Sequence, residues 1–240
     1  MLKVRDLYVE VSGKEILKGV NMEINEGETC ILFGANGSGK TSLLLTLMGF
    51  SNYKITQGGI VYNGRVINTL PINERARMGI GISLQRPPVV RGVKTRQMIE
   101  IASNGTADPE SLAGQLDLTD FLDRDINLGF SGGEMKRSEL LQLMAQSPDL
   151  VLLDEPESGV DLENMALVGE VANKLLEKHL HRKRKRAGLI ITHTGYILDY
   201  LEADKGCVLF NGRIGCMGNP REILEDIRKR GYEECVVCKR

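Results

Sequence analysis

The chain of 240 residues is longer than one typical domain and shorter than two, which points to one large α/β unit or a domain carrying a subdomain. Hydrophobic residues make up 42% and charged residues 26%, a globular balance that excludes a disordered, collagen-like or coiled-coil chain. Thirty-one Lys and Arg face 32 Asp and Glu, so no whole-chain field selects nucleic acid or an acidic membrane as the main partner.

No apolar run approaches the roughly 20 residues needed to span a bilayer. The opening Met1-Leu-Lys-Val-Arg-Asp lacks the apolar stretch of a secretory signal, so the expected location is the cytoplasm. The five cysteines are odd in number and thinly spread, which favours reduced thiols over a disulfide framework.

Leu2 to Val11 and Val20 to Ile24 alternate apolar and polar residues around Ser12-Gly13-Lys14 and predict an antiparallel opening. Glu26-Gly27-Glu28 turns the chain into Thr29 to Phe33, a continuous apolar run of the kind buried in a parallel sheet. A glycine-rich loop and a helix over Lys40 to Met48 follow. Asn63-Gly64 predicts a hairpin between Ile60 to Tyr62 and Val66-Ile67, and Gly79 to Leu84 is a further strand. From Gln85 the character changes, and between Pro87 and Ser147 the pattern is mostly helical, with breaks at Asn104-Gly105, Gly114 and Gly129 and no strong strand. Leu150 to Leu153 and Leu189 to Thr192 restore buried strands, and Gly206 to Phe210 with Arg213 to Met217 form a closing hairpin. A last amphipathic helix covers Arg221 to Arg230. The expectation is a single α/β domain over 1–240, with a mixed sheet, an antiparallel N-terminal part, a catalytic core from 1–85 and 148–240, and a helical subdomain at 86–147.

Gly34-Ala35-Asn36-Gly37-Ser38-Gly39-Lys40-Thr41 fits G-x-x-x-x-G-K-[ST] between a strand and a helix, with Ser42 continuing into the helix. Glycines at this spacing let successive N–H groups curl around phosphate oxygens at a helix N-terminus; Lys40 then reaches the β and γ phosphates and Thr41 binds Mg²⁺. Leu150-Val-Leu-Leu-Asp154-Glu155 places two carboxylates at the C-terminal edge of a parallel sheet, where α/β ligands bind. Such a pair also caps the element after a strand; beside a phosphate loop it suits Asp154 to the Mg²⁺ shell and Glu155 to polarising the attacking water. Phe130-Ser131-Gly132-Gly133-Glu134 opens a helix and offers a second cradle of N–H groups. One nucleotide does not need two cradles from one chain, so the economical reading gives Ser131, Gly132 and Gly133 to an ATP held by another copy. In isolation, a glycine turn before a helix with Ser131 as its N-cap would be the favoured reading.

Phosphate loop, Gln85 after a strand, Ser-Gly-Gly-Glu, Asp154-Glu155-Pro156, Ser158-Gly-Val-Asp161 and His193 after Leu-Ile-Ile-Thr stand in the order that resembles the ABC ATPases, over nearly the whole chain. The resemblance implies an ABC-type ATPase hydrolysing ATP with Mg²⁺, as a head-to-tail dimer with two ATPs at the interface. It implies Gln85 as the coupling-loop glutamine near Mg²⁺, beside Thr41 and Asp154, and His193 as the switch histidine at the γ-phosphate. Within the family, Phe130 to Arg137, Asp154 to Asp161, Ile197-Leu-Asp-Tyr200 and Gly231-Tyr232 look like the SufC type that serves iron–sulfur cluster assembly. That likeness implies a scaffold partner of the SufB and SufD type, docking beside Gln85 and the helical subdomain. The alternative is the ATPase subunit of an ABC membrane transporter, with the same catalytic residues; a DNA-repair or translation ABC protein would need a long insertion or tandem domains.

Two departures from the family pattern concern the base and the tail. Val11 stands where many ABC domains stack adenine on an aromatic, which predicts weak base recognition. Cys235-Val-Val-Cys238 has metal-ligand spacing but supplies two of about four ligands, leaving flexible-tail thiols or transient metal and redox chemistry with a partner. His181-Arg-Lys-Arg-Lys-Arg186 reads as a solvated helix end, with an acidic partner surface or nucleic acid as the other option.

Overall fold

The computed structural model describes residues 1–237, and the side chains of all of these except 162, 163, 181–183, 236 and 237. The chain runs β1 (Leu2–Val11), β2 (Lys14–Ile24), β3 (Thr29–Phe33), α1 (Lys40–Met48), β4 (Lys54–Tyr62), β5 (Arg65–Val66), α2 (Ile72–Arg77), β6 (Ile80–Ser83), β7 (Val90–Lys94), α3 (Thr95–Ala102), α4 (Pro109–Gly114), β8 (Asp125–Ile126), α5 (Gly132–Gln146), β9 (Leu150–Asp154), α6 (Leu162–Leu175), β10 (Ala187–Ile191), β11 (Lys205–Phe210), β12 (Arg213–Gly218) and α7 (Pro220–Val237).

Two larger sheets carry the fold. One has the order β2-β1-β4-β5 and is antiparallel. The other has the order β12-β11-β3-β10-β9-β6, parallel except for β12. Its central strands are apolar on both faces because both are covered. Cys30, Leu32, Leu150 and Leu152 enter the core shared with α1 and the antiparallel sheet; Ile31, Phe33, Val151 and Leu153, one residue out of phase, enter the core shared with α5 and α6.

The stretch from Gln85 to Ser147 contains α3, α4 and α5, and also a short β7–β8 ladder that periodicity did not indicate. That ladder pairs Val90 with Ile126 and Lys94 with Asp125, is interrupted between them, and has Gly92 at φ +80°, too irregular for an alternating signal.

Two buried devices tie the core together. Arg75 is 1% exposed and has no carboxylate beside it; its guanidinium donates to Thr46 O and Leu47 O (both 2.8 Å) at the C-terminal end of α1, and to Leu70 O (2.8 Å) and Asn68 O (3.1 Å). Burial pushes its pKa down to about 10, still charged at neutral pH. On the neighbouring strands β3 and β11, Cys30 and Cys207 are fully buried with their Sγ atoms 3.4 Å apart.

The tail departs from expectation. The last helix bends at Gly231, at φ +81° and ψ 174°, and the turn after it brings Cys235 back into the core, 4% exposed. Cys235 is therefore a packed residue rather than a flexible thiol; Cys238 lies outside the described residues. Part of the basic run is likewise absorbed: Arg184 pairs with Asp204, and Arg186 with Glu177 at 3.4 Å. Among the described residues no helix is long and apolar enough to cross a membrane.

Candidate active site

The parallel strands β3, β10, β9 and β6 are neighbours and end at the same edge of their sheet. The residues just past those ends are therefore collected by topology alone: Gly34 to Gly39 after β3, Thr192-His193 after β10, Glu155 after β9 and Leu84-Gln85 after β6. They border a cleft of about 520 Å³ lined by Asn36, Gly37, Gly39, Lys40, Thr41, Ser42, Gln85, Glu155, Ser158, His193 and Ile16.

Gly39 caps α1 at φ +105°, a conformation open to glycine, and directs the first N–H groups of the helix toward the cleft. Lys40 is 6% exposed, and its Nζ folds back on the loop, donating to Gly34 O (2.7 Å) and Ala35 O (3.1 Å). Burial lowers its pKa, against the pull of Glu155 and Asp154. The Tyr232 phenol, raised by burial, is hydrogen-bonded with the backbone of Gly34, so the end of the chain touches the start of the phosphate loop.

Asp154 is 2% exposed and hydrogen-bonded with Thr41, and its Oδ1 has no protein partner. Burial raises its pKa. A buried carboxylate oxygen left open, a hydroxyl beside it and the Gln85 amide nearby form the hard, oxygen-rich donor set that suits Mg²⁺ shared with a nucleotide's phosphates. Among the described residues no group of three His, Cys, Asp or Glu side chains is arranged to hold a metal alone.

Glu155 is held on both sides. Its Oε2 accepts from Gln85 Nε2 at 2.6 Å, its Oε1 lies 3.2 Å from His193 Nδ1, and its side chain is 9% exposed. Its backbone sits at φ +48°, a costly conformation for a non-glycine, fixed by its N–H donating to Ile191 O at 3.1 Å. From α5, Lys136 Nζ donates to Leu84 O (2.9 Å) and Glu139 accepts from Leu84 N (3.0 Å), clamping the residue before Gln85 at both backbone groups.

Ser131 caps α5, accepting from Glu134 N at 3.3 Å while Glu134 accepts from Ser131 N at 2.7 Å. Ser131, Gly132 and Gly133 do not line the cleft; Gly132 packs near Gly159 O and Gly133 near Asn164. Val11 does not line it either. The side chain there from the β1–β2 hairpin is Ile16, because Val11 is still paired in the ladder, opposite Lys14. Sequence reasoning also passed over Glu157, whose partners are the two threonines beside His193.

A phosphate loop, a buried carboxylate pair and a glutamine on one edge of a parallel sheet define a nucleotide-binding ATPase. Residues 17–158 match the family model described as ABC transporter, and the chain belongs to that family. It is 35% identical over 246 residues to a "probable ABC transporter ATP-binding protein" of Streptococcus pyogenes serotype M3, covering 97% of this chain and 93% of that protein. It is 36% identical over 249 residues to a "probable ATP-dependent transporter" of Synechocystis, covering 97% and 94%. In fold it is similar to a nucleotide-free ATP-binding cassette of an ABC transporter, with a TM-score of 0.79 at 22% identity over 100% of this chain and 99% of that one. The chain is thus an ABC-type ATPase with the mixed sheet and helical insertion expected of one.

Proposed function

We propose that two copies of this chain close head to tail on two ATP molecules, hydrolyse them, and pass the movement to a partner seated beside Gln85. One observation carries the reading: Glu155 stands between Gln85 and His193 at the mouth of the phosphate-loop cleft. In that position Glu155 orients and polarises the attacking water, His193 touches the γ-phosphate, and Lys40 exchanges its loop carbonyls for phosphate oxygens. Thr41, Gln85 and Asp154 would hold Mg²⁺, which would supply neutralisation of phosphate charge. Ser131, Gly132 and Gly133, outside their own cleft, serve the ATP of the second copy. Gln85 leads to Pro87-Pro88 and exposed Val89, and a groove of about 780 Å³ nearby is lined by Met48, Met78, Met98 and exposed Ile101. Flexible thioethers suit this groove to an inserted partner segment.

Two partner classes share this chemistry. The transport descriptions of the relatives favour the membrane subunit of a transporter and are the stronger support. The SufC-like motifs favour an iron–sulfur scaffold of the SufB/SufD type, met in the cytoplasm. Tagged chain isolated from its own cells decides between them: an integral membrane partner supports transport, and a scaffold carrying iron and sulfide supports cluster assembly. Val89→Asp and Ile101→Glu are expected to release either partner while ATP binding persists; retention in both variants places the partner on another surface.

A further inference from the structure

Glu157 has no task in the reading above, yet its carboxylate is 7% exposed and bonded on one side only. Its Oε1 accepts from Thr192 Oγ1 and from Thr194 Oγ1, the latter at 3.1 Å. Its Oε2 has no partner. Burying a carboxylate this way is costly, and burial raises its pKa against the two hydroxyl bonds.

The two threonines flank His193. Thr192 Oγ1 also accepts from Gly195 N at 2.8 Å, and Thr194 Oγ1 from Tyr196 N at 3.3 Å, so the turn after β10 hangs from hydroxyls that both rest on Glu157. The His193 side chain is 42% exposed, and its contact with Glu155 is at 3.2 Å. Glu155 and Glu157 stand on either side of Pro156, whose ring fixes one backbone angle between them. The same short segment therefore carries Glu155 and the anchor of the loop that brings His193 to it.

We propose that Glu157 is a positioning residue for ATP hydrolysis: by holding Thr192 and Thr194 it sets where His193 meets Glu155 and the γ-phosphate. The proposal rests on the roles given above to Glu155 and His193. Misplacement of a reacting group by about 1 Å costs up to ~100-fold in rate, so a single anchor of this kind is felt in turnover. The phosphate loop and Lys40 do not depend on it, so nucleotide affinity is not.

The test is steady-state ATP hydrolysis by the purified full chain. Glu157→Ala is expected to lower kcat by ~10- to 100-fold with KM for ATP within about twofold of the parent. Thr194→Val shifts kcat in the same direction by less. Glu157→Gln, whose amide oxygen accepts from both hydroxyls, recovers most of the loss. In a His193→Ala background the Glu157→Ala change adds less than about twofold, because the effect passes through His193. A parental kcat in Glu157→Ala, a parallel rise in KM, or the full loss persisting without His193 overturns the proposal. Should Glu157→Ala fail to fold, Thr194→Val carries the same cycle, and its equal loss with and without His193 is equally decisive. Parental turnover in both His193→Ala and Glu155→Gln instead overturns the site reading itself, a separate outcome.

Discussion

In the function proposed above, the Glu155 side chain acts on water and leaves ATP alone. Glu155→Gln removes the basic oxygen but keeps an acceptor for Gln85, so ATP binding is expected to persist while hydrolysis slows by at least about tenfold. A phosphate-release assay beside nucleotide-binding fluorescence separates the two; parental turnover would remove Glu155 from its role. Lys40→Ala is expected to act oppositely, weakening ATP binding itself, since the lost ammonium is the charge available to the phosphates. Calorimetric titration checks this. That Lys40, Thr41, Asp154 and Glu155 meet at one sheet edge was legible in the sequence, because their spacing and flanking strands place them there. Glu157 was not, because the threonines that explain it lie 35 and 37 positions away and meet it only when β9 and β10 pair. Ile16 replaces Val11 at the cleft for a similar reason: hairpin register, not distance along the chain, decides which side chain borders it.

The elements themselves were the most legible layer, since residues 30–33 and 150–153 are apolar throughout and buried throughout. What escaped were joints. Gly58 lies at φ +77° where β4 passes the irregular part of β1, and a Cβ there would stand 2.0 Å from Asp6 O. Gly58→Ala is expected to destabilise the fold by about 2 kcal/mol or more, read as a fall in thermal midpoint. Asp204, before β11, accepts from Thr29 N at 2.9 Å and from Lys178 Nζ at 3.0 Å, and also pairs with Arg184. Burial would raise its pKa, but these partners outweigh burial and hold it below the usual carboxylate range. Its contribution is therefore complete above the unfolded pKa and lost as pH falls through the folded one. Asp204→Asn is expected to cost roughly 1–3 kcal/mol at pH 7, leaving Lys178 buried beside a neutral amide. Denaturant titrations should show the gap to the parent closing below about pH 4. A constant gap would assign the effect to shape rather than charge.

Across the whole molecule, the proposed service of Ser131, Gly132 and Gly133, which lie outside their own cleft, to the ATP of a second copy predicts association that depends on nucleotide. Light scattering on Glu155→Gln is expected to show dimer with ATP and monomer with ADP or none; an equal distribution in all three would argue against a loop acting between copies. The sealed thiols of β3 and β11 give the molecule one more property. The hydrogen bond to Cys207, with burial, pushes the Cys30 thiol up, and burial hides both sulfurs from any alkylating reagent. A reagent gains access when β3 and β11 part, and β3 runs directly into the phosphate loop. Labelling of Cys30 and Cys207, resolved by mass spectrometry from the half-buried Cys216, therefore times the opening of the nucleotide-binding half, and ATP should lengthen that time in proportion to its hold on the closed form.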